Sequence, residues 1–114
     1  MKKWLIIMLA LFVFVGIGKI RVIDPYYAGE DNMLHLNLIN DGEDDLTGSK
    51  VRIIFPELGL VYQTNPFTLY DDSKQGKLIP LELPADTLAG DYLMRISFTN
   101  DDTRVIRHRW VTVV

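Results

Sequence analysis

"LAGDYLMRISFTNDD", residues 88–102, decides how this chain is read. Gly90 permits a tight turn into the run. Tyr92, Met94, Ile96 and Phe98 then alternate with Leu93, Arg95 and Ser97, and Asn100-Asp101-Asp102 close it. Period 2 is the signature of a strand with one face on a core and one on water. Tyr92 opens the inward column, and its hydroxyl is expected to bond back to the preceding corner, as in sandwich folds.

The same period recurs on either side. "MLHLNLIN" (33–40) places Leu34, Leu36 and Leu38 on one face, with His35 and Asn37 on the other. "KVRIIF" (50–55) groups Val51, Ile53 and Phe55, and Pro56 and Gly59 break it. "LVYQTNPFTLY" (60–70) reads as one interrupted strand or two short ones, with Pro66 suited to an edge. "KLIPLEL" (77–83) turns Ile79, Leu81 and Leu83 inward. A short strand over Ile20 to Ile23 comes first and a strand from Arg104 to Val113 comes last. On the last strand Ile106 and Trp110 are assigned inward, and Val105, Arg107, Arg109 and Val111 outward. Segments 26–32, 41–49, 71–76, 84–90 and 100–103 carry the turn formers.

Seven or so strands with these spacings predict an all-β chain, an antiparallel Ig-like sandwich. One open sheet would leave half of the apolar columns wet. The expected core holds Leu36, Leu38, Ile53, Leu81, Tyr92, Met94, Ile96 and Trp110.

"MKKWLIIMLALFVFVGIG" (1–18) opens with two lysines and continues as an apolar run. As a helix, 15 residues rise about 22 Å, short of the ~30 Å hydrocarbon core. Two readings stand. One is a secretory signal cleaved at Gly16 or Gly18. The other is a retained membrane anchor, stretched by snorkelling Lys2 and Lys3. Both leave residues 19–114 as one domain outside the cytoplasm.

That domain holds every acidic residue, 15 in all, and the 12 Lys and Arg less Lys2 and Lys3. An acidic balance argues against nucleic acid as a partner. The chain has no cysteine. This excludes disulfides, a thiol nucleophile, thiolate metal sites and a lipid-modified cysteine.

Three local features carry a family resemblance. Ala28-Gly29-Glu30 precedes an alternating strand; Asn40-Asp41-Gly42 follows it, ahead of Leu46 and Val51; and "LPADTLAGDYLMRISFTND" (83–101) leads into the penultimate strand. In this order and spacing residues 19–114 resemble the immunoglobulin-like modules of bacterial and archaeal surface proteins. The likeness is to the cell-adhesion-related (CARDB-type) domains and to the Ig-like domain appended to some glycosidases. It implies a sandwich at the cell surface and no shared catalytic residues.

Nothing in the sequence assembles a nucleophile, a base and an acid. Ser49, Ser73 and Ser97 lie in unlike contexts, and His35 and His108 share no motif. The chain therefore reads as no enzyme. Two constellations remain. Asp41, Glu43, Asp44 and Asp45, then Asp71 and Asp72, then Asp101 and Asp102 occupy three loops that an Ig-like path gathers at one end. Asp41, Asp44, Asp71 and Asp101 are thus a candidate calcium site, weighed against plain turn-forming. Arg52, Arg95, Arg107 and Arg109, placed outward among aliphatic residues, form a candidate partner surface, weighed against a solvated sheet face.

The expectation is a non-catalytic, exported binding or structural module of the cell envelope, acting in adhesion or protein–protein contact. Its partner would be an envelope protein or surface polymer, with the membrane reached through an uncleaved N-terminus. The alternative is a subunit of a surface filament or secretion machine, resembling archaellum-stator or pilin-like proteins. A small exported enzyme or inhibitor is a third reading.

Overall fold

The computed structural model describes residues 14–101 and 103–114. Eight strands follow one another: β1 (Val15–Val22), β2 (Asp31–Asn40), β3 (Leu46–Phe55), β4 (Leu60–Gln63), β5 (Phe67–Leu69), β6 (Ser73–Glu82), β7 (Gly90–Thr99) and β8 (Arg104–Val113). They form two antiparallel sheets. One has the order β1-β2-β6; the other runs β4-β3-β7-β8, with β5 also on β3. This is the Ig-like sandwich that the alternation predicts. The "LVYQTNPFTLY" stretch resolves into two short strands. Between them the Thr64 amide donates to the Val51 carbonyl (3.0 Å), and the Thr64 hydroxyl accepts from the Val51 amide (3.0 Å).

The register explains which alternate residues go inside. β2 pairs with β6 so that Leu34 faces Ile79 and Asn32 faces Leu81. β3 pairs with β7 so that Val51 faces Phe98 and Ile53 faces Ile96. Members of such pairs share a face. Leu34, Leu36, Leu38, Val51, Ile53, Phe55, Leu81, Met94, Ile96 and Phe98 fill the space between the sheets. Burying a side chain of this size contributes about 1.5–3 kcal/mol.

Two points of the core depart from the sequence reading. Tyr26, read as part of a turn, is fully buried, and its hydroxyl donates to the Met33 carbonyl at 2.9 Å. Burial, with the nearby Asp24 charge second, pushes its phenol far above the ordinary tyrosine range. Trp110, expected inside, is 64 % exposed. It lies opposite Leu93, in the outward column of β7. Val111 and Val113 occupy the inward places instead. The β7–β8 register sets the opposite parity.

The first strand also starts earlier than expected. Val15, Gly16 and Ile17 pair with Asn40, Ile39 and Leu38, so the sandwich takes in residues placed within the apolar segment 1–18. Ile17 is only 2 % exposed. A Cβ on Gly16 would come within 2.7 Å of Val105 Cγ2, and its φ is +139°. Glycine there lets β1 approach β8. The rest of the expected signal or anchor helix, residues 1–13, lies outside the described residues.

The loops gather at two ends. At one, the Asp41 amide donates to the Phe14 carbonyl (2.9 Å) and the Asp72 amide to the Gly42 carbonyl (3.2 Å). At the other, the Val114 amide donates to the Tyr26 carbonyl (2.9 Å) and the Gly29 amide to the Leu83 carbonyl (2.8 Å). The Tyr92 hydroxyl donates to the Leu88 carbonyl at 2.7 Å, closing the corner expected from "LAGDY".

Candidate interaction surface

The outward columns of β4, β3, β7 and β8 build one broad face, row by row. Lys50, Thr99 and Arg104 make one row. Gln63, Arg52, Ser97 and Ile106 make the next. Val61, Ile54, Arg95 and His108 follow, and then Leu93 beside Trp110. Lys50, Arg52, Gln63, Ser97, Thr99 and Arg104 border a shallow depression of about 350 Å³. Asp91 ends the face, and there it accepts a hydrogen bond from the Thr112 hydroxyl at 2.8 Å. Among the described residues, cations and exposed apolar groups therefore share a surface on which only the last row carries a carboxylate.

Of the four arginines expected to share a face, two do. Arg52 and Arg95 are on it. Arg107 and Arg109 lie opposite Ile96 and Met94, so they belong to the inward parity of β8. Being on the last strand of its sheet, they reach the rim. Arg107 donates to the Ile106 carbonyl (3.1 Å) and Arg109 to the His108 carbonyl (2.7 Å). Inward-pointing charges on an edge strand discourage further strand pairing. The parity error that put Trp110 inside also put these two arginines outside. In their place the structure supplies His108 and Trp110, with Lys50 and Arg104 at the depression. Knowing the β7–β8 turn register would have been enough to find them.

The acidic loops behave differently from the arginines. The Asp41–Asp45 and Asp71–Asp72 loops do meet. The Asp71 amide donates to Asp45 Oδ1 at 2.9 Å, and the Asn40 side chain ties the loops by donating to the Asp44 and Leu69 carbonyls at 2.9 and 3.1 Å. A side-chain hydrogen bond with Asp45, and after it the Asp45 charge, raise the Asp71 carboxyl above its ordinary value. Asp101 sits in the β7–β8 turn at the same end of the fold. Among the described residues, no three His, Asp or Glu groups stand close enough to hold a metal ion. Asp41, Asp44, Asp71 and Asp101 all belong to the loops at this end of the fold. The two histidines are apart. His108 faces Arg95 across β7–β8, and His35 faces Arg21 and Leu78 in the other sheet.

The class this architecture defines is the Ig-like β-sandwich. Solved structures narrow it at the level of fold. The chain resembles a CARDB domain from Pyrococcus furiosus, crystallised in complex with di-metal ions, with a TM-score of 0.67 at 16 % identity over 90 % of this chain and 94 % of that one. An NMR structure of that domain gives 0.64 at 17 % identity over 88 % and 94 %. A Niemann-Pick type C2 protein from the Japanese carpenter ant gives 0.62 at 12 % identity over 90 % and 95 %. No protein-family model matches the chain, and no curated protein sequence does. The resemblance read from "YYAGEDN" through "SFTND" is therefore present as a shared CARDB-like fold.

Proposed function

We propose that this protein is an exported module of the cell envelope that works by binding rather than by catalysis. The observation that carries the reading is the junction at Val15. The lysine-headed apolar run passes into β1 with no spacer, so the sandwich stands beside whatever receives that run. The CARDB-like fold supports a surface role, since such domains belong to surface proteins. The broad β3–β7–β8 face supports binding, because arginine and exposed aromatic groups favour interfaces. In this orientation the loops 41–45 and 70–72 and the β7–β8 turn are near the membrane side, and the C-terminus points away.

Protease treatment of intact producing cells, followed by fractionation, tests the reading. The expected result is a chain in the envelope fraction whose sandwich is cleaved only when protease has access to the outside. A chain that fractionates with the cytosol and survives treatment would overturn it.

A further inference from the structure

We infer that the outer face of the β4-β3-β7-β8 sheet docks an acidic protein segment, one that presents carboxylates and an apolar side chain on the same side. This rests on the reading of the chain as a binding module and names the partner's chemistry. The depression lined by Lys50, Arg52 and Arg104 offers three cations around one hollow, with the Thr99 hydroxyl and the Gln63 amide as added hydrogen-bonding groups. Such a mixture suits a carboxylate, which accepts several hydrogen bonds at once. Along the strands from the hollow come Ile54 and Arg95, then Leu93 and Trp110. Val61 is half exposed beside them. Arginine and tryptophan are the residues that most often dominate interface energetics.

Charge complementarity selects the sign of the partner. Among the described residues Asp91 is the one carboxylate in these rows and is already engaged by Thr112. The apolar strip selects the class. A phosphate-rich polymer would use the cations and leave Trp110, Leu93 and Ile54 without counterparts, whereas a polypeptide supplies both kinds of group. Successive rows are about 6.8 Å apart along the strands, twice the rise per residue. An extended segment with alternating side chains matches that spacing. The opposite sheet's outer face is a weaker candidate. Its column of His35, Asn37, Gly76 and Leu78 has cations nearby in Arg21 and Lys74, but its paired strands offer no tryptophan.

The test uses the full-length 15N-labelled chain and two synthetic 12-residue peptides, one with Glu and Phe at alternate positions and one with Lys in place of Glu. Phosphatidylglycerol vesicles form a third arm. The expected result is that the Glu/Phe peptide shifts the amide signals of Arg52, Ile54, Leu93 and Arg95 and the indole of Trp110. Its affinity should fall about tenfold between 50 and 300 mM salt, as a screened charge contact does. The double variant R52E/R95E should bind at least about tenfold more weakly while keeping a folded spectrum, and W110A should also weaken binding. R21E/K74E, on the other sheet, should bind as the parent does. The inference is overturned by shifts that map to the β1-β2-β6 sheet, by unchanged binding in folded R52E/R95E, by equal binding of the Lys peptide, or by a face that engages only the vesicles. If peptide binding fails while the chain is still found exposed in the envelope, the docking surface falls and the proposed function stands.

Discussion

Ile17 sits directly opposite Leu38 across the β1–β2 pair, sealed from solvent in the core. This contact has a consequence for processing. Cleavage after Gly16 or Gly18 would cut through β1, and the later cut would remove a core side chain. Truncating a buried isoleucine to alanine costs about 2–5 kcal/mol. A chain beginning at Lys19 should therefore melt roughly 10 °C or more below one beginning at Phe14, given about 4–8 °C per kcal/mol for a domain of this size. Mass spectrometry of the chain recovered from the envelope should find an N-terminus upstream of Val15. A mature N-terminus at Ile17 or Lys19, with unchanged melting, would refute this.

Met94 and Arg95 are adjacent but face opposite ways. Met94 is fully buried, while Arg95 shares the outer face with Ile54 and His108. Met94→Asp places an unpaired carboxylate between the sheets and should abolish folding. Arg95→Asp should change stability by about 0.5 kcal/mol or less. Urea denaturation of the two variants decides the matter, and equal effects would mean the register is wrong.

The fold was legible where alternation was clean and strands were central. Leu36, Leu38, Ile53, Leu81, Met94 and Ile96 are inside, as their period demands. Tyr92 is half-buried at the corner its hydroxyl closes. Errors fell at sheet edges. Along β8 the odd-numbered positions carry two arginines and three valines, and the even-numbered ones carry Ile106 and Trp110, so hydrophobicity alone gives no parity. Pairing with β7 decides it, and pairing is a long-range fact. The extension of β1 to Val15 was hidden for a related reason: an apolar run looks the same whether it enters a membrane or a core. Tyr26 was missed because one buried ring between turn formers has no periodic neighbours. Of the candidate surface, Arg52 and Arg95 could be read because β3 and β7 alternate cleanly. Trp110 and the hollow at Lys50 and Arg104 required the β7–β8 register.

Tyr26 and Tyr92 bond their hydroxyls in unlike settings. Tyr26 donates to Met33 within the core and Tyr92 to Leu88 near the surface. Tyr26→Phe removes the shorter of two bonds to the Met33 carbonyl, leaving the Ile23 amide at 3.4 Å, and should cost about 1–1.5 kcal/mol. Tyr92→Phe, whose lost partner can be replaced by water, should cost less, about 0.5–1 kcal/mol. Thermal melts of both variants check the order, and a larger loss for Tyr92→Phe would reverse the reading.

Asp45 and Asp71 bring two carboxylates together across neighbouring loops, and the contact raises the Asp71 carboxyl. The sign of its effect follows from proton linkage. A carboxyl whose folded pKa lies above its unfolded value holds its proton more tightly in the folded chain, so it favours folding at low pH and loses that contribution as pH rises through the folded value. At neutral pH the Asp71 carboxylate is opposed by the Asp45 charge beside it. Asp71→Asn removes the repulsion and keeps the backbone donor to Asp45, so it should raise the melting temperature slightly at pH 7. The advantage should shrink as pH falls and the raised Asp71 carboxyl takes up its proton. Added salt should reduce the difference at pH 7, because the groups are exposed and screened. Melting curves of parent and variant from pH 3 to 7 test this. A difference that is constant with pH, or a variant less stable at pH 7, would show that the two carboxylates do not oppose each other in the folded protein.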